Sequence, residues 1–116
     1  MHRIPKNTDL SPLVGKNVEQ VCIGAHEVVL NLSDDLYITI EGGFAFGDEE
    51  RLEEPDFRGS ANKFTKLLND VMVLAKVLRD DKVLFIFSSG TTLTIYDDSD
   101  HGESFVIKLP DRLVVA

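Results

Sequence analysis

Residues 18–41 read VEQVCIGAHEVVLNLSDDLYITIE, and residues 73–96 read VLAKVLRDDKVLFIFSSGTTLTIY. The two stretches lie over each other without a gap at an offset of 55. Val18 meets Val73, Val28 meets Val83, Ser33 meets Ser88, Thr39 meets Thr94 and Ile40 meets Ile95. Leu30 falls on Phe85, Leu32 on Phe87 and Ile38 on Leu93, so the alternating apolar positions coincide. Alternation at every second residue is the signature of a half-buried strand. The match predicts one β-rich unit used twice.

Working outward, the first copy reads as strands near 18–23, 28–33 and 36–41, with a short fourth strand at Phe44-Ala45-Phe46. In the second copy, Asp80-Asp81 turns the chain into a strand at 83–87. Ser89-Gly90 makes a tight hairpin turn in which Gly90 supplies a positive φ. Strands follow at 92–96, 104–109 and 113–115. Between the copies, Ser60 reads as a helix N-cap. Phe64, Leu67, Leu68 and Val71 recur at helical spacing, which predicts an amphipathic helix at about 61–71. A helix continuing through 73–79 is the competing assignment, because Leu, Ala, Lys and Met favour helix. The outward positions of the second strand include polar Asn31 and Ser33 in the first copy and are Leu84 and Ile86 in the second. That strand is apolar on both faces, and the helix is expected to cover it.

The expected fold is therefore α+β. Two pseudo-repeated antiparallel β-meander units pack as a sandwich or partly open barrel, with one helix. The copies span about 13–46 and 68–109 of a single domain covering 13–116. Residues 1–12, rich in Pro and polar side chains, read as a poorly ordered lead-in. Residues 47–59 read as an exposed acidic linker.

The chain has 116 residues, 43% of them apolar, enough to build a core without staples. No run approaches the roughly 20 apolar residues of a membrane span, and the basic N-terminus lacks the apolar region of a secretory signal. Cys22 is the single cysteine, so an intramolecular disulfide and a cysteine metal cage are excluded. Cys22 itself, between Val21 and Ile23, reads as a small buried hydrophobe. A reducing, cytoplasmic setting is expected. With 20 acidic and 12 basic residues the net charge is −8, which disfavours nucleic-acid phosphates and anionic lipid. The lysines are dispersed and form no basic stripe with aromatics.

Catalytic patterns are missing. Asp97-Asp98-Ser99-Asp100-His101-Gly102-Glu103 resembles a calcium loop until its decisive ligand. Counted from Asp97, glycine falls at position six, but position twelve is Lys108 instead of a bidentate Glu. His2, His26 and His101 share no ligand spacing. Neither Ser88-Ser89-Gly90 nor Gly59-Ser60-Ala61 forms a nucleophile elbow, and Gly15-Lys16-Asn17 is no phosphate loop. No cofactor is implied.

The run Leu13-Val14-Gly15-Lys16-Asn17-Val18, the alternation after it, and Leu84-Phe85-Ile86-Phe87-Ser88-Ser89-Gly90 resemble the two halves of a group of small bacterial proteins of unknown function. The resemblance covers most of residues 13–115 and rests on strand and turn patterns. It implies a duplicated β-rich fold and no catalytic residue. By analogy, some small acidic bacterial proteins of this kind are immunity partners of toxins.

The expected function is a non-enzymatic protein–protein interaction module that docks to, or neutralises, a basic protein. Its partner face would be two acidic clusters: Asp48, Glu49, Glu50, Glu53 and Glu54, and Asp97, Asp98, Asp100 and Glu103. Three rival readings stay open. One is an enzyme whose site is built from dispersed residues, one a small-ligand binding module, and one a structural homodimer.

Overall fold

The structure, a computed structural model, describes residues 4–52, 54–79, 82–97 and 104–116. It is mostly antiparallel β, with nine strands in two sheets and one short helix among the described residues. The strands are β1 (Val18–Ile23), β2 (Val28–Leu32), β3 (Tyr37–Ile40), β4 (Phe44–Phe46), β5 (Met72–Arg79), β6 (Lys82–Phe87), β7 (Thr92–Tyr96), β8 (Phe105–Lys108) and β9 (Leu113–Val115). The helix α1 spans Ala61–Thr65. One sheet has the order β1-β2-β3-β8-β9 and the other β4-β7-β6-β5.

Each meander stays in its own sheet, but the strand that follows it changes sheet. β4 leaves β3 and pairs with β7, Phe44 facing Ile95 and Phe46 facing Leu93. β8 leaves β7 and pairs with β3, Phe105 facing Ile40 and Ile107 facing Ile38. Inward residues of both sheets, including Leu30, Ile38, Ile107, Phe85 and Leu93, join one apolar cluster. Full burial of such a side chain contributes about 1.5–3 kcal/mol, so the inward alternation is what pins the register.

The pairings correspond position by position. Val18 opposite Leu32 and Gln20 opposite Asn31 flank a bulge in β1. Met72 opposite Phe87 and Leu74 opposite Ile86 flank a bulge in β5. Met72, not Val73, therefore takes the place of Val18. Val73 is the bulged residue and is 54% exposed. The one-residue slip arises because the turn after β1 is a residue shorter than the stretch between Val77 and Val83, which an ungapped comparison of sequences overlooks.

β1 and β5 begin side by side, joined by a bridge between Asn17 and Val71. The hydrogen bonds around it are reciprocal. Gly15 N–H donates to the Met72 carbonyl (2.8 Å), and Asn69 N–H to the Val18 carbonyl (2.9 Å). Val18 N–H donates to the Asp70 carbonyl, and Met72 N–H to the Lys16 carbonyl, both at 2.8 Å. Asn17 N–H donates to Ser33 Oγ (2.8 Å), and Val71 N–H to Ser88 Oγ (2.9 Å). Gly15 and Asn69 both hold a positive φ, 88° and 71°.

This bridge accounts for the length of the helix. The expected helix at 61–71 stops at Thr65. Three-residue turns carry the chain to Asn69, whose left-handed conformation ends the coil. Val71 and Met72 are then held by Asn17 and Lys16, and residues 73–79 are strand. Nor does α1 cover Leu84 and Ile86. Its Phe64 ring packs on Phe44 and Phe46, with centroids 5.0 and 4.9 Å apart. Leu84 and Ile86 stay half-buried. Ser60 makes no side-chain capping bond.

Two further expectations change. The lead-in is packed where it is described, with Ile4 and Leu10 buried in the core. Ile4 N–H donates to Asp97 Oδ2 at 2.7 Å, which holds that segment down. Cys22 is exposed, because it stands opposite Val29 on the outward side of an edge strand.

Candidate functional site

The chain between β4 and α1 leaves the sheet at Gly47 and carries exposed Asp48, Glu49, Glu50 and Glu54. Most of it is held at a few anchor points. Lys63 of α1 reaches back to Glu49, with Nζ 2.7 Å from Oε1 and 2.5 Å from Oε2. Arg51 lies against Gly43, where a β-carbon would collide with its guanidinium. Its charge sits over the Tyr96 ring, 4.5 Å from the centroid, a favourable cation–π geometry. Asp56 accepts the Gly59 N–H (2.9 Å) in a turn, and Phe57 is buried against Phe44 with centroids 5.2 Å apart. The segment is thus an acidic rim clipped to the core by Phe57 and Arg51.

Of the second expected cluster only Asp97 lies within the described residues. Asp97 is fully buried. The alternation of β7 explains why: Leu93 and Ile95 point inward, and one further step places Asp97 inward too. That signal was in the sequence, but the acidic run masked it. Asp98, Asp100 and Glu103, with His101, lie outside the described residues, as does Glu53. The two acidic runs are also not equivalent positions. In chain order residues 97–104 lie between β7 and β8, as 41–43 lie between β3 and β4, whereas residues 47–59 follow β4.

Other charged side chains are dispersed. Lys16 pairs with Asp34, and Ser89 Oγ donates to Asp70 Oδ2 at 2.5 Å. The Ser11 hydroxyl, then its backbone N–H, and the nearby Arg112 hold the Asp9 carboxyl below the usual Asp value. Among the described residues there is no pocket, and no group of three His, Cys, Asp or Glu that could hold a metal ion. No helix among them is long and apolar enough to cross a membrane.

Set against known protein families, curated proteins and solved structures, the chain matches none of them.

Proposed function

We propose that this chain is a protein-binding module made of two copies of one four-stranded unit, and that its acidic rim meets a basic protein partner. The reciprocal hydrogen bonds about Asn17 and Val71, the paired bulges and the exchanged fourth strands support the duplication. The observation that carries the function is the exposure of Asp48, Glu49, Glu50 and Glu54 on the segment that joins the copies. A tether between two copies needs only length, so this density of carboxylates is not a demand of the fold. Clustered charge on one rim raises the encounter rate with an oppositely charged protein more than the final affinity. A reducing, cytoplasmic compartment suits the exposed single Cys22, which an oxidising one would drive into intermolecular disulfides.

The test starts from a partner crosslinked and purified from the source cells. Replacing Glu49, Glu50, Glu53 and Glu54 by Gln is expected to slow its association and flatten the salt dependence of the rate. An unchanged association rate at low salt removes this rim as the steering surface.

A further inference from the structure

We infer that the outward face of the four-stranded sheet is a second docking surface, and that it takes a protein segment presenting aliphatic side chains between carboxylates. Strand pairing sets Leu74 beside Ile86 and Lys76 beside Leu84. Both pairs face away from the core, in register with Thr92 and Thr94 of β7. The result is a contiguous aliphatic strip of Leu74, Leu84 and Ile86 on two strands, each half-buried, flanked by the threonines of β7.

The other sheet supplies an internal control. Gln20 and Asn31 occupy the positions of Leu74 and Ile86, next to the same bulge. There the pair is polar and bonded to itself, Asn31 Nδ2 donating to Gln20 Oε1 at 3.0 Å. The fold therefore accepts a polar pair at this place, and the aliphatic pair on β5 and β6 answers another requirement. Contiguous apolar surface of this kind marks an interaction site when it is rimmed by polar groups.

The rim defines the occupant. Lys76 stands on the β5 side, and Lys82 at the end, its Nζ 5.7 Å from the Tyr96 ring. No carboxylate is among the described outward residues of β5, β6 and β7, in a chain with 20 acids. Two copies meeting through this face would set like charges against each other, which is destabilising. A segment with Asp or Glu beside Leu, Ile or Phe satisfies both the strip and the two ammonium groups. This face adjoins the acidic rim at Tyr96, whose ring carries both Lys82 and Arg51, but Leu74 and Ile86 lie on β5 and β6, so changing them tests the face without touching the rim.

The experiment uses the immobilised full-length chain and a phage-displayed library of random linear dodecamers. The discriminating variant is Leu74→Gln with Ile86→Asn, which installs the polar pair of the other sheet. The expected result is an enriched family of peptides combining carboxylates with aliphatic or aromatic residues. Such peptides should lose about ten-fold or more in affinity against that variant. They should lose affinity similarly against Lys76→Glu with Lys82→Glu, a surface change that spares the strip and serves if the first variant melts early. No enrichment, a basic or neutral consensus, or binding indifferent to both variants overturns the proposal. So does sedimentation showing a wild-type dimer that the first variant dissociates, because the occupant is then a second copy.

Discussion

Asp97 shows how much one residue can depend on its surroundings. Its carboxylate is buried and accepts the Ile4 N–H. Truncation by Asp97→Ala leaves that buried N–H without its acceptor, and a loss of about 1–3 kcal/mol in denaturant unfolding is expected. Gly90 behaves in the opposite way, since its role was readable locally. It sits at φ 90° in the turn between β6 and β7, where a branched side chain is strained. Gly90→Val is expected to cost roughly 1 kcal/mol or more, and a neutral result in the same assay argues against a tight hairpin. Asp9 gives a pH dependence. Ser11 hydroxyl and N–H bonds, aided by Arg112, depress its folded value below the unfolded one. Its contribution is therefore present above the ordinary Asp range and is lost as pH falls through the depressed value. Denaturation midpoints of Asp9→Asn against wild type, taken at neutral and acid pH, should converge at the acid end.

At the scale of elements, α1 is too short to hold itself and depends on packing. Phe64 is fully buried among Phe44 and Phe46. Phe64→Ala is expected to cost about 3–5 kcal/mol, read by chemical denaturation. Ser60 stands at the start of α1 without a capping bond. Ser60→Ala should thus fall below the usual capping loss of about 0.5–2 kcal/mol, and a loss inside that range would restore the cap. The strands were legible because alternation is a local property: each of β2, β6 and β7 buries every second residue. The helix was over-extended because Val71 satisfies the same spacing while Asn17, far away in sequence, captures it.

At the scale of the whole molecule, the exchange of β4 and β8 ties each half into the sheet of the other. A protease site inserted after Glu50 lies in an exposed stretch, where added length costs little. After cleavage the two fragments are expected to elute together under native conditions and to separate only in denaturant. Halves that part as folded monomers would overturn the proposed duplication with exchanged strands. The acidic rim is separable from this architecture, since Phe57 alone among the described residues 47–59 is buried in the core.

What the amino-acid sequence determined on its own was local. Period-two alternation marked the strands, Gly90 marked a turn, and the run from Asp48 to Asp56 marked an acidic connection. Each depends on neighbours a few residues away. The tertiary structure alone decided which sheet receives β4 and β8, where the helix ends and that Cys22 stays outside. It also reduced the expected partner face to Asp48, Glu49, Glu50 and Glu54 among the described residues. These outcomes turn on hydrogen-bond partners and packing surfaces brought together from distant parts of the chain. A backbone group accepts whichever partner the fold delivers, and no local pattern records that choice.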